Sequence, residues 1–205
     1  MIYIYGDSHA NKCLRGLTIP YIDCHQSSIT MHRVGRDNKI LKFNSELHDD
    51  NSILCFVYGE VDCRCHIRRQ IDSGRDEDAV IEELVQAYFK TLYNNIKSHR
   101  KIIVFAVIPP TKRNDHETVH GPIKHAFPFV GNDEDRSRYT NKVNKLINIF
   151  CSSNGYIYFD PFYYYTREDG TLKFELTDKT VHIYENSVII EKFIELYKNI
   201  TNIDA

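Results

Sequence analysis

The feature that most constrains this chain is a series of short, unbroken apolar runs, rich in β-branched and aromatic residues, separated by stretches in which apolar residues recur at helical spacing. A strand with one wet face alternates apolar and polar residues. A strand covered on both faces reads as a continuous run, so these runs belong to a parallel sheet with helices on either side. Ile2 to Tyr5 is the first. Ile29 to Val34 is expected as the second, and Ile53 to Tyr58, between Asp49-Asp50-Asn51-Ser52 and Gly59, as the third. Lys101 to Ile108 is the fourth, stopped by Pro109-Pro110, and Tyr156 to Phe159 the fifth, entered through Asn154-Gly155 and closed by Asp160-Pro161.

Ile81, Leu84, Val85, Tyr88, Leu92 and Ile96 predict a helix from Asp76 to Lys97, with Asp76, Glu77 and Asp78 at its positive end and Lys97 and Arg100 near its negative end. Tyr139, Val143, Leu146, Ile147 and Phe150 predict another from about Glu134. Val188, Ile189, Phe193, Leu196 and Tyr197 predict a C-terminal one capped by Asn186. The expected fold is a three-layer α/β/α sandwich over residues 1–205 as one domain, with five parallel strands in the flavodoxin-like order 2-1-3-4-5. In that order the topological switch point lies between strands one and three. Pro109 to Gly131 and Pro161 to Val181 are too long for simple connections, and both follow the C-terminal ends of strands. Ligands bind at that edge of an open parallel sheet, so both segments are expected to shape a site.

Composition narrows the function classes. A hydrophobic content of 42% with 26% charged residues is that of a soluble globular chain. A net charge of -2, with both signs interleaved, leaves no broad basic face for phosphates, so no nucleic-acid partner is expected. No apolar run approaches the roughly 20 residues of a membrane span, and Met1 leads directly into Ile2-Tyr3-Ile4-Tyr5 without a secretory pattern. No membrane partner and a cytoplasmic location are expected. The six cysteines read as reduced thiols. Cys63-Arg64-Cys65-His66 lacks a second ligand pair at zinc spacing, so neither metal nor other cofactor is expected. His116, His120 and His125 fall in the long segment after Pro110 and are expected on a surface loop.

The first strand runs into Tyr5-Gly6-Asp7-Ser8-His9-Ala10, which places a serine where a strand turns into a helix. Such a turn exposes the hydroxyl, and the helix amides behind it can stabilise an oxyanion. Taken alone, the same position suits a plain helix N-cap. The third strand ends in Tyr58-Gly59-Glu60-Val61-Asp62-Cys63-Arg64, across the switch point from Ser8, and His182 follows Asp178-Lys179-Thr180-Val181 before the last helix.

In order and spacing, over essentially the whole chain, these blocks resemble the SGNH/GDSL hydrolase superfamily. That family has Gly-Asp-Ser at its N-terminus, a glycine after the second strand, Gly-x-Asn-Asp after the third and Asp-x-x-His before the last helix. The resemblance implies a serine esterase working through an acyl-serine: Ser8 as nucleophile, His182 as base and Asp178 orienting the imidazole. It also implies an oxyanion hole from Ser8, Gly35 and Gly59, although Gly35 reads equally well as a turn glycine leaving strand two. Two departures stand out. Val61 occupies the asparagine position and cannot donate, a loss worth about 3 to 4 kcal/mol where such a donor is removed, with Arg64 and His66 as candidate replacements. One extra residue separates Asp178 from His182.

Asp7, His9, Glu60, Asp62 and Arg64, around the switch point, are expected to line the substrate, although His9 could instead pack. Tyr163 and Tyr165, with Phe127 and Phe129, are expected as aromatic walls for a sugar ring. The implied partner is a small-molecule or carbohydrate ester, with an O-acetyl sugar foremost. Acyl transfer to a sugar hydroxyl would use the same triad. A non-catalytic carbohydrate-binding or scaffolding module is the reading that Val61 and the longer Asp178 to His182 spacing favour.

Overall fold

Five parallel strands form one sheet in the order β2-β1-β3-β4-β5: β1 Ile2–Gly6, β2 Tyr21–Asp23, β3 Ile53–Val57, β4 Lys101–Phe105 and β5 Ile157–Phe159. The computed structural model describes residues 1–44, 46, 48–49, 51–96, 101–124 and 127–201. The helices are α1 Ser8–Cys13, α2 Met31–Asp37, α3 Ile67–Asp72, α4 Glu77–Asn95, α5 Arg113–His120, α6 Asp133–Asn154 and α7 Ser187–Thr201. Asp50, Lys97, Arg100 and His125 lie outside the described residues.

The unbroken apolar runs have a direct cause. Side chains alternate across a strand, and both faces of this sheet are covered. Tyr5, Leu54, Phe56 and Val104 enter a core with Val34 of α2, Leu84 and Tyr88 of α4 and Val143 of α6. Ile4, Cys55, Val57 and Phe105 enter a second core, against Ala10 and Cys13 of α1 and Ile189 and Phe193 of α7. Five of the six cysteines are buried, and all six are free thiols. Among the described residues no helix is long and apolar enough to cross a membrane.

The second strand is not where the sequence suggests. Ile29 to Val34 leads into α2, and the strand is the three-residue Tyr21–Asp23. A helix start leaves its first amides without partners, and here they are met from two directions. Thr30 Oγ1 accepts from the Arg33 amide at 3.0 Å, and the Asp62 carboxylate accepts from Met31 at 2.7 Å and His32 at 3.2 Å. Asp62 is distant in sequence, so this stabilisation is invisible in the local pattern.

The other helices follow their caps. Asp76 Oδ1 accepts from the Ala79 amide at 2.9 Å to start α4, and Asn132 with Asp135 forms a capping box on α6. Asn186 stands immediately before α7, where its carbonyl accepts from the Ile190 amide at 3.0 Å, and its side-chain amide donates to the carbonyls of Lys12 (3.2 Å), Cys13 (3.1 Å) and Arg15 (2.9 Å). It thereby also closes the end of α1. The segment after Pro110 is not a plain loop: α5 occupies its middle, supported by an Arg113–Glu117 pair at 2.7 Å, and buries His116 against Phe129.

Candidate active site

Asp7, not Ser8, is the N-cap of α1; its Oδ1 accepts from the His9 amide at 2.9 Å. The hydroxyl of Ser8, the first helical residue, is therefore left for other work. It lies 2.9 Å from His182 Nε2. Gly6 lets the strand end close on its neighbour, since a Cβ there would sit 2.4 Å from the Val57 carbonyl oxygen.

The extra residue before His182 is absorbed by a tight loop. The Asp178 amide donates to the His182 carbonyl at 3.0 Å, and Lys179 takes a left-handed φ of 67°. His182 Nδ1 then lies 3.4 Å from Asp178 Oδ2 and 3.1 Å from Thr180 Oγ1. The Thr180 hydroxyl in turn bonds Asp178 Oδ1. With its proton on Nδ1, His182 donates toward this pair and leaves Nε2 free to accept from Ser8. Thr180 carries no sequence signal of this role. Lys12 Nζ, 3.8 Å from Asp178 Oδ2, completes the surroundings of that carboxylate.

Beneath His182 lies a buried run of charge. The His9 ring meets that of His182 at 4.7 Å between centroids. His9 Nε2 lies 3.2 Å from Glu60 Oε2, and Glu60 Oε1 lies 3.0 Å from Arg64 Nε. Burial pushes the Glu60 carboxyl up, but Arg64 and His9 outweigh it and hold the group at about 2. Burial and the neighbouring His9 push His182 down to about 4, against the opposing pull of Asp178 and Glu60.

Several expected substrate contacts prove to be internal. Asp7, His9, Glu60 and Arg64 are all buried, occupied with the cap and the charge run. Asp62, also buried, spends both carboxylate oxygens on the start of α2; burial raises its pKa to about 7 despite those amides. Tyr165 is fully buried in the core beneath α7, because the turn Phe162–Tyr165 points successive side chains in different directions. Tyr163 from the same turn is 93% exposed.

Gly35 is not an oxyanion donor. As the fifth residue of α2 its amide is used inside the helix, and its missing Cβ lets α2 approach α4: a Cβ would lie 2.8 Å from that of Ala87. The segment leaving β2, from Cys24 to Ile29, contains no glycine, and Ser28 adopts the left-handed φ of 65° there. Gly59 does stand at the end of β3, with φ 115°; a Cβ there would sit 2.7 Å from Val107 Cγ2. Val61 is buried where the family places asparagine. Of its candidate replacements, Arg64 is committed to Glu60 and to the Phe127 carbonyl at 2.9 Å, and His66 faces Phe127 and His32.

The two long segments meet over this edge. The Val130 amide donates to the Arg64 carbonyl at 3.1 Å, Asp115 pairs with Arg167 at 2.7 Å, and His120 Nε2 lies 2.8 Å from the Lys179 carbonyl oxygen. Among the described residues no group of three or more His, Cys, Asp or Glu is placed to hold a metal ion.

No model of a protein family matches the sequence, and a sequence comparison with curated proteins gives no match. Solved structures do match. A GDSL-like lipase from Bacteroides thetaiotaomicron is 15% identical and superposes with a TM-score of 0.61, over 98% of this chain and 88% of its own. Phospholipase A1 from Streptomyces albidoflavus gives 12%, 0.54, 94% and 98% for the same quantities. A member of the lipolytic protein G-D-S-L family from Veillonella parvula gives 14%, 0.52, 96% and 97%. This chain shares their fold.

Proposed function

We propose that this protein is a serine esterase of the SGNH/GDSL superfamily, hydrolysing an oxygen ester through an acyl-serine intermediate. The observation that carries the reading is the 2.9 Å approach of Ser8 Oγ to His182 Nε2, with Nδ1 of the same ring held by Thr180 and Asp178. His182 Nε2 takes the Ser8 proton as Oγ bonds to the ester carbonyl carbon, and the tetrahedral intermediate expels the alcohol, which leaves with that proton. Water then gives a proton to Nε2 and attacks the acyl-serine, releasing the acid and restoring the Ser8 hydroxyl. The amide of Ser8, at the first position of α1, is the oxyanion donor this reading assigns first, because the first amides of a helix lack internal partners. Gly59 is its assigned companion across the switch point.

For the substrate, an O-acetylated carbohydrate is our reading, supported by Tyr163, exposed beyond the end of β5. β5 lies three strand spacings from β1, about 14 Å at roughly 4.8 Å each, so a sugar stacked on Tyr163 is not the one whose ester reaches Ser8. An oligosaccharide fits that separation better than a monosaccharide.

The test is turnover of p-nitrophenyl acetate and of an acetylated oligosaccharide, together with labelling by a serine-directed phosphonate. Ser8 is expected to carry the label, and Ser8→Ala and His182→Ala to abolish both labelling and turnover. A folded native protein that resists the reagent and turns over neither ester would sink the proposal. Sugar binding without turnover would then favour the carbohydrate-binding module that Val61 permits.

A further inference from the structure

His9 is where a chain of charge meets the base. Its ring lies against that of His182 at 4.7 Å between centroids, with the planes inclined by 43°. It is 2% exposed, and its Nδ1 is buried without a partner. From Nε2 the chain continues to Glu60 at 3.2 Å, to Arg64 at 3.0 Å and to the Phe127 carbonyl at 2.9 Å. Burying three ionisable groups is costly unless their mutual attraction offsets the lost hydration, and an apolar residue at position 9 would leave only two of them to bury.

We infer that His9 is a positioning residue: held by Glu60 at 3.2 Å, its imidazolium lies against the ring of His182 and disfavours a second positive charge there. The inference rests on the esterase reading of His182. The groups around His182 divide by sign. His9 and Lys12 of α1 disfavour its protonation, as burial does; Asp178 from its own loop and Glu60 from the end of β3 favour it, and the Ser8 and Thr180 hydroxyls are neutral. Around His9, burial and Arg64 resist a charge, whereas Asp7 and Glu60 favour one and prevail. Glu60 therefore acts twice: it holds His9 charged, and it softens the repulsion when His182 becomes imidazolium during turnover.

The test is to titrate the ring resonances of both histidines by NMR in the native protein and in His9→Phe, with pH profiles of kcat/KM alongside. In the native protein His9 is expected to titrate above an ordinary histidine while His182 remains neutral to near pH 4. In His9→Phe, His182 is expected to titrate higher by about one pH unit or more, with the acid limb of kcat/KM moving alongside. A His9 that titrates at or below an ordinary histidine in the native protein, or a His182 titration that His9→Phe leaves in place, would overturn the inference. Should His9→Phe fail to fold, Glu60→Gln asks the same question: His9 is expected to titrate lower than in the native protein, and a His9 titration left in place overturns it. The NMR readout needs no turnover, so an absence of esterase activity and a wrong role for His9 remain separate results.

Discussion

Asn186 donates its side-chain amide to the Arg15 carbonyl at 2.9 Å, which ties the segment just after His182 to the far end of the helix that carries Ser8. The same amide reaches the carbonyls of Lys12 and Cys13, closing the end of α1 from outside. Asn186→Ala leaves these carbonyls short of a donor and is expected to cost about 1 to 3 kcal/mol, read from the urea midpoint. It should also lower kcat more than it raises KM, because the loosened element is the one that positions His182. Asn186→Asp should be worse, since it turns a carboxylate toward carbonyl oxygens.

Thr180 stands between His182 and Asp178. With Nδ1 of His182 at 3.1 Å from the hydroxyl and 3.4 Å from Asp178, part of the orienting work passes through Thr180. Hydrogen bonds to a charged group contribute about 1.5 to 3 kcal/mol, so Thr180→Val is expected to reduce kcat by roughly ten- to a hundredfold. Asp178→Asn should cost more than Thr180→Val, and both less than Ser8→Ala. Steady-state rates of the three folded variants decide the order.

Gly35 offers the opposite test. Its Cα faces Ala87 where α2 meets α4, and a methyl group there needs a shift of the backbone. Gly35→Ala is expected to lose about 1 to 3 kcal/mol of stability through overpacking. Turnover per molecule able to accept the phosphonate should not change. A loss of kcat in molecules that still fold would return Gly35 to the oxyanion hole.

The pH profile follows from the surroundings of His182. On the proposed mechanism His182 must be neutral to accept the Ser8 proton, and burial with His9 beside it lowers its pKa to about 4. Its protonated fraction grows only as pH falls through that value. The acid limb of kcat/KM is therefore expected near pH 4, well below the roughly 6.5 of an unperturbed histidine.

The parts of the fold that were legible in the sequence are those fixed by local pattern. β3 and β4 announce themselves as unbroken apolar runs because α-helices cover both faces of the sheet, and Ser8 and Gly59 could be placed at the switch point from strand ends alone. Ile29 to Val34 misled because it suits a strand in isolation; the carboxylate of Asp62, arriving from another element, makes its end a helix start. His9, Glu60 and Arg64 misled for a related reason. Charged residues near a presumed site read as facing the substrate, and nothing in their spacing reveals that they pair with one another underneath it. Tyr163 and Tyr165 look alike in sequence, yet the turn that carries them exposes one and buries the other.

The π-helical turn Asp62–His66, where the Ile67 amide reaches back to the Asp62 carbonyl, holds one more residue per turn than an α-helix would. That surplus residue adds an intolerance of changes in length to the constraint that buried Asp62, Cys63, Arg64 and Cys65 already carry. Removing a single residue would close the turn into α-helical winding and re-aim the side chains within it by up to about 100°. Asp62 and Arg64 would then lose register with α2 and Glu60 in one step. Among descendants of this chain, insertions and deletions should accumulate in the surface connections and be purged between Gly59 and Ile67.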